Sequence, residues 1–317
     1  MTSNGVAEIA NRLRDAIGRV VVGNRDGIGL LLCALLARRH ILLEDVPGTG
    51  KTTLVKSLAR AAGTSFARLQ CTPDLLPGDV TGFNAYDPQT GAFRFRPGPV
   101  FHQLLLVDEL NRASPKTQAA LLECMEEGQV TVDGVSRSLP RPFCVLATQN
   151  PVEYEGTFPL PEAQLDRFGL RLHLGYPDAA TERALVDRFI AADPLEELTP
   201  VCTAADLCGA QDACRTVHVS AEVRDYAVRL CAATRQQPEV LLGASPRATL
   251  TVVALSQARA ILAGRPFVLP DDVKAVALAA LAHRIILTPA ARWRDQTSAQ
   301  VVGRVLRGLS VPAAGRA

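Results

Sequence analysis

Two kinds of hydrophobic pattern divide the chain near residue 177. From about Asn11 to Tyr176, short apolar runs alternate with segments of helical period. Ile41-Leu42-Leu43, Leu104 to Val107 and Cys144 to Ala147 are apolar at every position, as strands buried on both faces of a parallel sheet must be. Strands of this kind alternating with helices predict an α/β domain, a parallel sheet wrapped by helices. Beyond Tyr176-Pro177-Asp178 the strand pattern stops. Val223, Tyr226, Ala227, Leu230 and Cys231 fall on one helical face, with Ser220 placed to cap its start. Ser245-Pro246 opens a second helix, which Gly264 closes, and Pro270-Asp271-Asp272 opens a third that turns Val273, Val276, Ala277 and Leu281 inward. The pattern predicts an α/β core over residues 1–177 and a small all-helical domain over 178–317.

Two stretches within the first domain depart from both patterns. Thr81 to Phe101, with Asp87-Pro88-Gln89-Thr90-Gly91 as a turn, reads as a β-hairpin, and Glu127 to Val135 reads as another around Asp133-Gly134. In the first, Phe93 and Phe95 alternate with Arg94 and Arg96. Strand alternation predicts aromatics packed down and arginines in water. The same interleaving is also how single-stranded nucleic acid is held.

Composition narrows the classes. Among 317 residues, 48% are hydrophobic and 21% charged, the balance of a globular protein, and a formal charge of +2 gives no overall pull toward nucleic acid. The longest apolar run, Ile28 to Leu36, ends in Arg38 and Arg39 and falls well short of the roughly 18–20 residues of a spanning helix. Met1 to Arg14 lacks the apolar centre of a signal peptide, so a cytoplasmic location is expected. None of the eight cysteines forms a C-x-x-C pair. Cys202, Cys208 and Cys214, followed by His218, match no familiar zinc spacing, and the thiols are expected to act as small buried hydrophobes.

The chemistry begins where the first strand ends. Ile41 to Glu44 runs into Asp45-Val46-Pro47-Gly48-Thr49-Gly50-Lys51-Thr52, followed by a helix from Thr53 to Ala62. This is the strand, loop and helix context of a phosphate loop. Gly48 and Gly50 allow successive N–H groups to turn toward phosphate oxygens, and the helix start adds the positive end of its dipole. Lys51 would meet the β and γ phosphates of ATP, and Thr52 would offer its hydroxyl to Mg²⁺. Pro47, Thr49 and Thr53 complete the nucleotide-binding set. Asp45 replaces the first glycine of the usual pattern. Leu104 to Val107 delivers Asp108 and Glu109 to the carboxyl end of a buried strand, where ligands bind in open α/β sheets. Asp108 would hold the metal ion and Glu109 would polarise the attacking water. The next strand delivers Gln149-Asn150-Pro151. Asn150 can hydrogen-bond the γ-phosphate and that water, or can equally be a turn residue.

Together these residues resemble the AAA+ ATPases. Glu44 to Thr52, Val107-Asp108-Glu109-Leu110-Asn111-Arg112-Ala113, Ala147 to Pro151, Leu165-Asp166-Arg167-Phe168 and Gly243-Ala244-Ser245-Pro246-Arg247-Ala248 resemble the MoxR family in particular, from Val20 to about Leu287. Asp45 is at home in that family, and Asn24 stands where it usually has Gln. The resemblance implies that Arg167 is an arginine finger entering the neighbouring subunit's site. It implies that Arg247 is a second sensor contacting the γ-phosphate from the helical lid, and that Val21, Val22 and Gly23 line the adenine pocket. Without the resemblance, both arginines would read as surface ion pairs.

The resemblance further implies a homo-oligomeric, hexameric ring whose hairpins face the pore. It implies a chaperone-like action on a client protein, such as cofactor or metal insertion, and a partner carrying a von Willebrand factor A domain. A nucleic-acid motor shares the same nucleotide site. A non-hydrolysing, ATP-switched scaffold would have no need of Glu109, Asn150 and Arg167 together.

Overall fold

The computed structural model describes residues 1–45, 48–149, 157–191 and 193–312. Helices α1 (Ser3–Val20) and α2 (Arg25–Leu36) precede β1 (His40–Glu44), and α3 (Lys51–Ala61) follows the glycine-rich loop. Then come β2 (Phe66–Gln70), the short α4 (Pro77–Thr81), the pair β3 (Gly82–Asp87) and β4 (Ala92–Pro97), β5 (Leu104–Asp108) and α5 (Pro115–Glu127). A second pair, β6 (Gln129–Val132) and β7 (Val135–Ser138), leads to β8 (Cys144–Gln149), the single turn α6 (Glu162–Leu165) and β9 (Phe168–Leu172). The remainder is α7 (Ala179–Ala191), α8 (Ala204–Arg215), α9 (Ala221–Arg235), β10 (Val240–Leu242), α10 (Pro246–Leu262), α11 (Pro270–Leu281), β11 (Ile286–Leu287), α12 (Pro289–Arg292) and α13 (Ser298–Gly308).

The central sheet has the order β2-β5-β8-β1-β9, and every pairing is parallel. Its inner strands carry the uninterrupted apolar runs: Leu104 to Val107, Val145 to Ala147 and Ile41 to Leu43 are all buried. Each such side chain contributes roughly 1.5–3 kcal/mol of transfer free energy. One core lies against α1, α2, α3 and the helices from α8 onward; the other lies under α4, α5 and the second hairpin. The first core does not break at residue 177. Val6, Leu13 and Ile17 of α1 belong to the same apolar cluster as Val252 and Leu255 of α10.

The caps are where the sequence places them. Ser220 accepts from the Val223 amide, and Ser245 from the Ala248 amide with Pro246 first in the helix. Asp133 and Gly134 both have positive φ, which the tight turn of the β6–β7 hairpin requires.

One expectation is refined and one is corrected. The C-terminal region is helical as expected, with one short antiparallel pair added, Val240 and Leu242 against Leu287 and Ile286. Strands of two and three residues carry no readable period. In the first hairpin, Phe95 packs edge-on against Phe101 with Arg137 over its face, but Phe93 is 72% exposed and touches only the edge of Tyr86 among ring neighbours. None of the helices among the described residues is long and apolar enough to cross a membrane. The described cysteines are free, and no cluster of three or more metal-ligating side chains forms among the described residues.

Candidate active site

The parallel sheet has two edges, and the chemistry divides between them. Along β1 the chain runs from His40 at one edge to Glu44 at the other, where the phosphate loop begins. Five residues at about 3.3 Å each separate the edges by roughly 17 Å.

At the carboxyl edge lies a cleft of about 290 Å³. Val20 to Asn24, Gly48, Thr49, Gly50 and Thr53 form one wall; Leu174 to Asp178, with Thr181, Leu185 and Phe189 at the start of the helical region, form the other. Gly48 and Gly50 have φ of +84° and +81°, which lets the loop curl before α3 starts at Lys51. Gly23 is also required by space, since a Cβ there would stand 2.7 Å from the Thr181 methyl. Val21, Val22, Gly23, Gly48, Thr49, Gly50 and Thr53 are thus brought together, and Pro47 and Asn150 lie outside the described residues.

The Lys51 ammonium donates to the Asp45 carbonyl at 3.0 Å. Burial lowers its pKa, against the pull of Asp45, Asp108 and Glu109. The Asp45 carboxylate explains why the first glycine is missing. Its Oδ2 accepts from the amides of Leu174 (2.7 Å) and Gly175 (2.8 Å), fastening the shoulder of the loop to the segment that leads into α7. Asn24 works on the same segment: its Oδ1 accepts from the Gly27 amide to cap α2, and its amide donates to the Leu174 carbonyl. Both ties were invisible in the sequence because the partners are 130 and 150 residues away.

Asp108 and Glu109 emerge beside the loop and are already engaged. Arg68 on β2 pairs with Asp108 Oδ2 at 2.6 Å, and the Thr148 hydroxyl donates to Oδ1 at 3.4 Å. Glu109 Oε2 accepts from Gln70 (2.8 Å) and from Arg112 (3.1 Å). Its backbone is left-handed, φ +55°, a conformation held by its amide bonding to Thr148 Oγ1 at 2.8 Å. The Asp108 carboxylate and the Thr52 hydroxyl supply hard oxygen donors of the kind magnesium takes, with phosphate and water left to complete its shell.

Arg167 and Arg247 stand elsewhere. Arg167 precedes β9 at the amino edge, and Arg247 lies in the first turn of α10. Both point at Glu126, near the end of α5: Arg167 reaches one oxygen at 3.2 Å and Arg247 the other. Neither lines the cleft of its own chain. Arg247 therefore stands away from the cleft of its own chain, because the helix carrying it packs against α1 and α2 and delivers it to the opposite edge. The position is fixed by Asp166, which accepts from the Ser245 hydroxyl (3.0 Å) and pairs with Arg284. His40 ties the same edge together, accepting from the Val145 amide and donating to the Met125 carbonyl.

Comparison with known proteins finds relatives along nearly the whole chain. Residues 40–170 match the model of the ATPase family associated with various cellular activities (AAA), and residues 232–305 match an AAA lid domain. The chain is 47% identical to the uncharacterized protein YeaC of Bacillus subtilis over 93% of its own length and 92% of that protein. It is 38% identical to chaperone MoxR1 of Mycobacterium tuberculosis, covering 98% of this chain and 85% of the relative. Protein MoxR of Paracoccus denitrificans is 34% identical, with 99% and 100% covered. A crystal structure from Cytophaga hutchinsonii, provisionally described as an ATPase, superposes with a TM-score of 0.92 at 38% identity, covering 98% of this chain and 97% of that one.

Proposed function

Because this chain belongs to the MoxR family of AAA+ ATPases, we propose that it hydrolyses MgATP at a site shared between subunits of a hexameric ring. The observation that carries this reading is the separation of the two edges. The cleft, Lys51, Asp108 and Glu109 sit at one edge, and Arg167 and Arg247 sit at the other, too far to serve the same nucleotide. In a head-to-tail ring the amino edge of one copy faces the cleft of the next, so each site is completed by its neighbour.

At the cleft, the apolar walls at Val21, Val22, Leu185 and Phe189 would take adenine, and the loop amides with Lys51 would take the phosphates. Magnesium, held by Thr52 and Asp108, would neutralise charge on the β and γ oxygens. Glu109 would orient and polarise the water once it turns from Gln70 and Arg112. Asn150 would assist it. Arg167 and Arg247 of the neighbour would exchange Glu126 for the charge developing on the γ-phosphate. We assign residues 1–177 to the ATPase core and 178–317 to the lid.

The work done would be remodelling of a client protein, with a partner bearing a von Willebrand factor A domain. The two hairpins support a protein client. Asn84 and Asp133 join them at 2.6 Å, and Phe83, Tyr86 and Phe93 are exposed on the first. Arg94 is paired with Asp87, which offsets its charge, and Arg137 covers the face of Phe95 on which a base would stack.

The shared site is tested by mixing. Glu109→Gln disables a subunit's own site but leaves its Arg167; Arg167→Ala does the reverse. Alone, Arg167→Ala should lose on the order of 10³-fold or more in ATPase, given the roughly 10³–10⁵ an arginine finger contributes, and Glu109→Gln on the order of 10²–10⁴-fold. Mixed under conditions of subunit exchange, the two should recover part of the rate, peaking near equal proportions. A mixture as inactive as its components, with exchange proven, would withdraw Arg167 from the neighbour's site.

A further inference from the structure

The amino edge holds more positive charge than two arginines account for. A cavity of about 250 Å³ opens there, lined by Arg38, Arg39, Arg167 and Arg247 with Glu126 and Asp166 as its carboxylates. Four cations against two anions leave a formal +2. The carboxylates are already committed: Glu126 holds Arg167 and Arg247, and Asp166 holds Ser245 and Arg284. Arg38 is drawn away to Asp212 and Gln211 on α8.

Arg39 is placed differently. Among the described residues its guanidinium has no hydrogen-bond or ion-pair partner, and its Nε is buried and unsatisfied. Burial and the nearby Arg247 both lower its pKa. Its placement is nonetheless built in. The stem lies across β9 at Gly169, where a Cβ would sit 2.2 Å from the Cβ and 2.8 Å from the Cγ of Arg39. Any larger residue on the strand would push the arginine out. A half-buried guanidinium held in place without a partner is unfavourable unless an anion completes it.

We infer that Arg39 is a third phosphate-directed arginine, and that this cavity receives the oligophosphate end of a nucleotide bound by the neighbouring subunit. The planar fork of arginine matches phosphate oxygens two at a time, which suits a dense polyanion better than a single carboxylate. The chain's own nucleotide is excluded as the ligand, because the length of β1 separates its phosphate loop from Arg39. The inference rests on the shared-site reading above and adds a residue to it. Glu126 then acts as the resting partner of Arg167 and Arg247, while Arg39 stays open for the incoming charge.

The same mixing design tests it, with a control that separates the two claims. Arg39→Gln alone should lose on the order of 10–100-fold in ATPase, the worth of one charge-assisted hydrogen bond to a charged group. Mixed with Glu109→Gln subunits it should recover, because the intact Arg39 of one chain then serves the intact Glu109 of the other. Arg39→Lys keeps stem and charge without the fork and should fall between wild type and Arg39→Gln; it also replaces Arg39→Gln if that variant fails to fold. The Arg167→Ala and Glu109→Gln mixture is run beside it. Recovery there without recovery for Arg39 overturns the inference and leaves the shared site standing. Recovery in neither overturns both. A second arm titrates inorganic tripolyphosphate into dilute, unassembled Lys51→Ala subunits, whose own phosphate loop is disabled. Binding that is lost in the Lys51→Ala, Arg39→Gln double variant supports a cavity built for an oligophosphate. No binding, or binding that the double variant keeps, overturns Arg39 as a phosphate-directed residue.

Discussion

The two edges of the central sheet are built on opposite principles. The phosphate side of the carboxyl edge is made from short runs of consecutive residues: a loop of eight positions and two adjacent carboxylates. Its side chains are kept near neutral balance by local partners, with Arg68 on Asp108 and both Gln70 and Arg112 on Glu109. The amino edge is assembled from four separated segments, contributing Arg39, Glu126, Arg167 and Arg247, and is left with excess positive charge. A site that binds its own ligand can be satisfied within one chain. A site that serves another chain's ligand must carry its charge unpaid until that chain arrives.

Within a chain's own cleft, the largest expected effects distinguish binding from turnover. Glu109→Gln should lose on the order of 10²–10⁴-fold in ATPase, the usual share of a positioned general base, while ATP still binds. Lys51→Ala should instead lose ATP affinity, because its charge meets the phosphates in the ground state. Equilibrium binding beside steady-state turnover separates the two. Native turnover in Glu109→Gln would remove that residue from the chemistry.

Arg247 is the sharper probe of the comparison. Arg247→Ala should reduce ATPase on the order of 10–100-fold in assembled protein. In dilute, unassembled subunits it should leave ATP and ADP affinity within about twofold of wild type, a few tenths of a kcal/mol, as for a residue that makes no contact with the ligand. A selective loss of ATP affinity in the free subunit would mean that the lid swings and brings Arg247 to its own cleft after all.

How much of this was legible in the sequence follows the same division. The phosphate loop, Asp108, Glu109, both hairpins and the helix caps at Ser220 and Ser245 depend on residues within a few positions of each other, so spacing alone reveals them. Where Arg247 points was not legible, since it depends on α10 packing across α1 and α2. Nor was the role of Arg39, which looks like the polar end of an apolar helix until Gly169 is seen to make room for it. The exposed Phe93 was misjudged for a related reason: strand alternation assumes a protein surface beneath one face, and the tip of this hairpin has none. Asp45 was recognised as a departure from the loop pattern, but its two amide partners lie beyond any local window.

A smaller effect is expected from Asp45, whose carboxylate links the phosphate loop to the 174–175 segment. Asp45→Ala removes both hydrogen bonds and should weaken nucleotide binding about 10-fold, with Asp45→Asn, which keeps one acceptor oxygen, in between. The signature is an equal loss for ATP and ADP, because the tie shapes the cleft and touches no γ-phosphate. A loss confined to ATP would make Asp45 a phosphate sensor.

The last effect concerns acid and acts on stability, not turnover, and it should reach the amino edge first. His40 and His283 are buried there, with pKa values pushed down to about 4 and about 3 by desolvation. His40 is held neutral by geometry: Nδ1 accepts from the Val145 amide at 3.0 Å while Nε2 donates to the Met125 carbonyl at 2.9 Å. Protonation would turn the acceptor into a donor facing an N–H. His283 donates toward the Phe168 carbonyl beside Arg284. Since both folded values lie below the ordinary histidine value near 6.5, the unfolded chain binds more protons in between. Stability is therefore fully present above about pH 6.5 and declines as pH falls toward 4, by up to about 1.4 kcal/mol per pH unit for each histidine. The exposed carboxylates with lowered values, Asp74, Asp178, Asp206 and Glu222, add their own loss only below their ordinary range near pH 4. Urea unfolding between pH 7 and pH 5 isolates the histidines. Wild type should lose stability across that interval, and His40→Gln, which can donate and accept at the same two partners without titrating, should flatten the slope by about one proton. A wild-type profile that is level from pH 7 to pH 5 would show that these rings are not held neutral, and that the amino edge is looser than its hydrogen bonds imply.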